Sequence, residues 1–279
     1  MRFEKATDTF GAFVHDVDLR SLSDDEIGEI DSAWATYGVL FFEGQSLTPE
    51  DHLAFAGRLG EIDVNRFFTP VEGYPGIAEV LKEPDDALNI GGVWHTDHSY
   101  DVAPARGSIL VARDLPPVGG DTQFLSVEAA YNALSDDLKE RIRAASAVHS
   151  NEHIFGGKGI YSENIGQRFT TTEGVGSTTH PVVVAHPVTG APLLYVNPGF
   201  TIDIVDLPDA GEGAGKALLD ELLTEIDGCG FDYRYTWSEG SVAMWDNRST
   251  WHWAMNDYAG HRRHMHRITI AGEPLQRAA

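Results

Sequence analysis

Cysteine is nearly missing from this sequence, with one residue, Cys229, among 279. Lacking a partner, it excludes an intrachain disulfide and any thiolate metal cluster, and it fits a reducing compartment. Long apolar runs are missing too, and no window approaches the roughly 20 residues that a membrane span needs. Positive charge is scarce: 20 Lys and Arg stand against 43 Asp and Glu, a net charge of −23. Nucleic acid and anionic membranes both require a basic footprint, so neither is an expected partner. Repeats, low-complexity tracts and linkers are absent, and Met1-Arg2-Phe3-Glu4-Lys5 has no signal-peptide character. The expectation is a cytoplasmic protein with a single domain over 1–279, a length that all-β barrels and sandwiches commonly reach as one unit.

What is present reads first as two helices. Ser23 followed by Glu26 is a capping-box signature, and Ile27, Ile30, Ala33 and Trp34 then recur at helical spacing. Gly38-Val39-Leu40-Phe41-Phe42 is a short apolar run, hence a buried strand. Thr48 with Pro49 opens the second helix, which carries Phe55, Ala56 and Leu59 inward and stops at Gly60. Further on, Ser126 and Ser135 look like N-caps, and Leu218, Leu219, Leu222 and Leu223 form the stripe of a late helix. The remainder is mostly short strands punctuated by turns. Between them, 149–179 is rich in Gly, Ser, Thr and Asn, with Phe155, Tyr161 and Phe169 spaced along it, which suggests a lid insert. The overall pattern is mainly β with flanking helices, a barrel or jelly roll.

Chemistry concentrates in Val93-Trp94-His95-Thr96-Asp97-His98-Ser99-Tyr100. If this stretch is extended, His95 and Asp97 project from one face and His98 from the other. A lone His-x-Asp is more often a hydrogen-bonded structural pair, so a metal site needs a third ligand from elsewhere. His252 is the candidate. Two histidines and a carboxylate on one face of an octahedron, the other face open, select non-haem Fe(II) in oxygenases. On the final strand, Arg263, Met265, Arg267 and Thr269 share a face; two arginines turned inward there would need anionic partners, whereas outward they would simply meet water. His264 and His266, on the other face, are a second candidate metal pair, with no acidic residue beside them on that strand.

The blocks Trp94-His95-Thr96-Asp97, Gly119-Gly120-Asp121-Thr122, Trp245 to His252, Asn256-Asp257-Tyr258 and Arg262 to Arg267 occur in an order that resembles the taurine/α-ketoglutarate dioxygenase (TauD/TfdA) family. Tyr37 to Thr48 and His180 to Phe200 resemble it as well, so the likeness covers nearly the whole chain. It implies a double-stranded β-helix, a cupin-like jelly roll, with Fe(II) on His95, Asp97 and His252, and with 2-oxoglutarate and O2 as cosubstrates. Arg263 and Thr122 would then hold the far carboxylate of 2-oxoglutarate, and Arg267 would face the substrate's acidic group or help hold the cosubstrate. The implied reaction is hydroxylation of a small anionic molecule with release of succinate and CO2, and a homo-oligomer is plausible for the family.

Two departures bear on the substrate. Taurine enzymes of the family have an asparagine where this chain has Gly91, and an early pocket-loop histidine where the corresponding segment here is Asn65-Arg66-Phe67-Phe68. A bulkier acid, such as an alkyl sulfate, a sulfonate or an aryloxyalkanoate, fits Asn65, Arg66, Phe67, Tyr100 and Arg267 better than taurine does. Desaturation or epoxidation on the same ligands is the alternative outcome, and a catalytically silent jelly roll that binds a metal or small acid is the alternative class.

Overall fold

The computed structural model describes residues 1–166, 169, 174–208 and 211–279. The chain opens with the hairpin β1 (Arg2–Lys5) and β2 (Ala12–His15), followed by α1 (Asp24–Tyr37), β3 (Val39–Phe42) and α2 (Pro49–Leu59). Ser23 closes a full capping box with Glu26, and Thr48 closes one with Asp51, as the spacing predicts for the first and improves on for the second. Such caps contribute about 1 kcal/mol each.

The strands β4 (Ile62–Asp63), β5 (Pro70–Val71), β6 (Tyr74–Lys82), β7 (Gly107–Asp114) and β8 (Thr122–Ser126) come next, then α3 (Val127–Ala133), α4 (Asp136–Ile142) and β9 (Ser146–Ser150). After α5 (Glu152–Phe155) and α6 (Ile160–Asn164) follow β10 (Ser177–Pro181), β11 (Val183–Ala185), β12 (Pro192–Leu194) and β13 (Thr201–Val205). The chain closes with α7 (Ala214–Asp227), β14 (Asp232–Tyr235), β15 (Val242–Asp246), β16 (Thr250–Ala254) and β17 (Arg263–Ile270).

Two sheets make the jelly roll. The larger runs β1-β2-β3-β15-β7-β17-β6-β5, with β4 beside β17, and the smaller runs β14-β8-β16. Strand alternation divides the core between them. On one face of the large sheet, Ile109, Val111, Met244, Ile268 and Ile270 meet Trp34 of α1 and Phe55 of α2. On the other, Leu110, Ala112, Trp245 and Met265 meet Phe124 and Tyr235 of the small sheet. A third cluster packs α3, α4 and α7 against the β11–β12 hairpin; on α7, Leu218, Leu219, Leu222 and Ile226 are buried, while Leu223 is half-buried at its edge. Among the described residues no helix is long and apolar enough to cross a membrane.

The segment 149–179, read from sequence as a lid insert, holds regular structure among its described residues. It carries the end of β9, all of α5 and α6, and the start of β10. Phe155, Tyr161 and Phe169 join Phe67, Phe68, Tyr100 and Phe200 in a fourth cluster. Residues 167–168 and 170–173, which also fall in that reading, lie outside the described residues.

Candidate metal centre

The extended run expected over Val93–Tyr100 is not formed. His95 alone is extended, in an isolated bridge with His252 closed by His95 N–H to His252 O (3.1 Å) and His252 N–H to His95 O (2.9 Å). The chain then turns at 97–100, His98 taking φ +57°, a left-handed value uncommon for a residue with a side chain. That turn brings the Asp97 carboxylate back beside the histidine pair, and it sends His98 to the same cavity instead of the opposite face.

One donor atom each from His95, Asp97 and His252 lies within 4.8 Å of the others, all three residues being buried. The rings of His95 and His252 are 4.0 Å apart, and their Nε2 atoms stand 3.8 and 3.7 Å from the Asp97 oxygens. These separations are longer than direct hydrogen bonds and leave room for an ion between the donors.

Each donor is prepared by its surroundings. His95 Nδ1 lies 2.8 Å from Val93 O, so that nitrogen carries the proton and Nε2 presents its lone pair. Burial holds both imidazoles below their ordinary pKa, His252 further lowered by the neighbouring His95. Burial alone would raise Asp97, but Arg267, His252 and His95 outweigh it and keep the carboxylate ionised. Ser108 Oγ donates to Asp97 Oδ2 (2.7 Å) and Arg267 Nη1 to Oδ1 (2.9 Å). Asn247 steadies the pair, accepting from Asp97 N–H (3.3 Å) and Trp245 Nε1 (2.9 Å) and donating to Ser108 Oγ (3.3 Å). Neutral imidazoles with an ionised carboxylate, buried together, are the protonation states a divalent cation requires.

Two cavities meet at this centre. One is lined by Thr122, Leu110, Trp245, His252, Arg263 and Arg267. Of the two orientations that strand alternation left open for β17, the one observed buries Arg263 and Arg267, with Arg263 opposite Lys82 and Arg267 opposite Ala78 in the register with β6. Arg263 is 3% exposed, yet it has no ion pair among the described residues; Nε donates to Gly120 O (2.9 Å) and Nη2 has no partner. Burial accordingly pulls its pKa down, only partly offset by Tyr258 and Asp121. Gly120 N–H is itself held by Asp257 Oδ1 (2.8 Å), which ties the glycine turn and the Asn256-Asp257 segment to the placement of Arg263. Thr122 Oγ1 accepts from Trp237 Nε1 (3.0 Å), leaving its hydroxyl proton to be donated.

The second cavity has walls of Phe68, Ile90, Val93, Tyr100, Ile154, Phe155, Tyr161 and Phe200, with Arg267 and His98 among its polar groups. Of the substrate residues proposed from sequence, Tyr100 and Arg267 line it, whereas Asn65, Arg66 and Phe67 do not. Asn65 Oδ1 accepts from Phe67 and Phe68 N–H (2.9 and 3.0 Å), so its amide nitrogen faces His98 Nε2 (3.2 Å). Arg66 forks onto Asp101 (3.0 and 2.6 Å), and Phe67 stacks on Phe155 at 4.4 Å behind the wall. Phe68 is the member of that loop that reaches the cavity, under Arg267 at 4.8 Å. Ser108 was not singled out from sequence, and Asn247, Gly199 and Phe200 were named there within family-like blocks without a role of their own. A Cβ on Gly199 would stand 2.8 Å from that of His95, so only glycine lets that loop pass behind the ligand.

His264 and His266 do not form a rival site. His264 Nε2 meets Glu79 of β6 (3.0 Å), and His266 Nδ1 accepts from Arg113 (3.1 Å). Among the described residues the His95–Asp97–His252 group is the one with metal-ligand geometry.

The profile of the family described as "Taurine catabolism dioxygenase TauD, TfdA family" matches residues 2–269. An alkylsulfatase of Acinetobacter baylyi is 32% identical over 98% of this chain and 86% of its own length. An (S)-phenoxypropionate/alpha-ketoglutarate-dioxygenase of Sphingobium herbicidovorans is 30% identical over 97% of this chain and 95% of its own. The crystal structure of a taurine dioxygenase from Burkholderia xenovorans superposes with a TM-score of 0.81 at 32% identity, covering 98% of this chain and 91% of that one.

Proposed function

Since the chain belongs to the TauD/TfdA family and is an Fe(II)- and 2-oxoglutarate-dependent dioxygenase, we propose that it hydroxylates an organic acid with an apolar body, of the alkyl sulfate, sulfonate or aryloxyalkanoate type. In this reading His95, Asp97 and His252 hold the iron, Arg263 and Thr122 hold the far carboxylate of 2-oxoglutarate, and Arg267 serves the substrate or the near end of the cosubstrate. The observation that carries it is the buried Arg263, without a counter-ion among the described residues, at the end of a cavity that starts at the metal ligands. A buried guanidinium left unpaired is costly, and a dicarboxylate anchored at its other end would satisfy it.

Bound together, iron and 2-oxoglutarate supply the activation of O2 that couples decarboxylation to succinate and CO2 with oxidation of a substrate C–H bond. The chain's own residues do the rest. Asp97, fixed by Ser108 and Arg267, keeps its charge although buried; His95 keeps its tautomer through Val93 O. The aromatic wall from Phe68, Tyr100, Phe155 and Phe200 excludes water and accepts the substrate's apolar body. Hydroxylation at a carbon that bears a sulfate or ether oxygen gives a product that collapses with cleavage of the C–O bond.

Among the described residues Arg267 is the arginine that lines this cavity, and Asp97, the carboxylate beside it, is already engaged. An acid with a hydrocarbon or aryl body therefore suits it better than a small zwitterion such as taurine. The test is succinate release from 2-oxoglutarate with iron, across hexyl sulfate, hexanesulfonate, 2-phenoxypropionate and taurine. Stimulation by any of the first three above taurine supports the reading, and stimulation by taurine alone contradicts it. The same reading takes the enzyme as a cytoplasmic, single-domain protein capable of homo-oligomerisation, which size exclusion with light scattering would measure.

A further inference from the structure

Tyr161 of α6 reaches across to the backbone just ahead of the metal motif. Gly91 N–H donates to its phenolic oxygen at 2.7 Å, and Gly92 N–H bears on the same oxygen. Gly91 is suited to this role by its left-handed φ of +77°; a Cβ there would also stand 3.0 Å from His95 Cε1. The ring is locked by its stack on Phe169 (5.3 Å, 14°) and its contact with Phe155 (5.7 Å). A phenol has one proton to give and a limited capacity to accept. With the accepting side taken by backbone amides, the O–H is left as a donor, and among the described residues nothing receives it. Burial raises the Tyr161 pKa, so the proton is retained. In the same cavity Arg267 has an Nε with no partner.

We propose that Tyr161 is a substrate-recognition residue, whose hydroxyl donates to an oxygen of the substrate's acidic group in concert with Arg267. The inference rests on the dioxygenase reading above and deepens it. Gly91 then has a meaning beyond the absence of a side chain: it orients the tyrosine that does the recognising. The Gly91 and Gly92 amides also polarise the phenol, strengthening it as a donor to an anion.

The experiment is anaerobic calorimetric titration of hexyl, heptyl and octyl sulfate into the Fe(II)- and 2-oxoglutarate-loaded protein, with and without Tyr161→Phe. The substitution keeps the ring stack and removes the hydroxyl. The expected result is a loss of affinity of about tenfold, the size of one hydrogen bond to a charged acceptor. That factor should be equal for all three chain lengths, with the gain per methylene unchanged. Affinity within twofold of the unsubstituted protein would overturn the proposal. So would a loss that grows with chain length, which would make Tyr161 a packing element of the wall. Failure of the underlying reading is separately visible: the unsubstituted protein would show no 2-oxoglutarate-dependent visible absorption before any sulfate ester is added.

Discussion

Replacing Arg263 with methionine should separate binding of the cosubstrate from stability of the fold. In the protein without 2-oxoglutarate, Arg263 is a buried cation held by one carbonyl, with Nη2 unpartnered and, among the described residues, no carboxylate in ion-pair range. Its removal exchanges an uncompensated charge for an apolar side chain of similar length, so the unfolding free energy should hold or rise by about 1 kcal/mol or more. With 2-oxoglutarate the sign reverses. Losing the partner of a buried carboxylate costs about 3–5 kcal/mol, a fall in affinity from roughly 10²-fold to several thousandfold. At 100 times the unsubstituted dissociation constant, 2-oxoglutarate should stabilise the parent by about 2.7 kcal/mol and Arg263→Met by about 0.4 kcal/mol or less. Urea titration of the Mn(II)-loaded proteins with and without 2-oxoglutarate reads both quantities. A variant that is markedly less stable alone, yet keeps the full 2-oxoglutarate increment, would refute the reasoning.

Other perturbations follow from the same geometry. His95→Ala or His252→Ala should abolish Fe(II) binding in equilibrium dialysis, while His264→Ala, whose ring meets Glu79, should leave it nearly intact; the reverse order would move the site. Arg267→Met, unlike Arg263→Met, breaks a buried pair with Asp97 and should cost the metal-free fold about 3 kcal/mol or more, measured by the same urea titration. His52 and His149 are both fully buried and lowered to about 3, by desolvation first and then by Arg113 and His180 respectively. Their folded pKa lies below the unfolded value of 6.5, so the unfolded chain takes up protons first. Stability is fully present above about pH 6.5 and is lost as pH falls towards 3, by up to about 1.4 kcal/mol per pH unit for each histidine. His149→Gln should flatten the decline between about pH 6.5 and 5.5 in metal-free melts, and an unchanged slope would count against it.

Sequence reasoning served best where a local rule and the tertiary fold agree. The caps at Ser23 and Thr48, the four buried residues of β3 and the alternation along β17 depend on neighbours within a few positions, so pattern alone recovers them. The metal motif was placed for a reason that the structure replaces. His95 and Asp97 do meet, but through a turn with His98 at φ +57°, where period-two alternation expects a strand. Nothing local requires that turn; it is held by contacts from far along the chain, among them Asn247 and Arg267. The pocket loop failed in the same way, because whether Asn65, Arg66 or Phe68 faces the cavity depends on Asp101, His98 and Phe155. Ser108 left no mark in the sequence beyond a hydroxyl at the start of an apolar strand.

The most direct measurement is visible absorption of the purified protein under anaerobic conditions, with Fe(II) and 2-oxoglutarate added, compared with Asp97→Ala and Arg263→Met. A charge-transfer band should appear in the parent, vanish in Asp97→Ala, and require on the order of 10²-fold more 2-oxoglutarate in Arg263→Met. A parent protein that is folded and iron-loaded yet shows no band, or a band indifferent to both substitutions, would contradict the assignment of these residues to the iron and its cosubstrate.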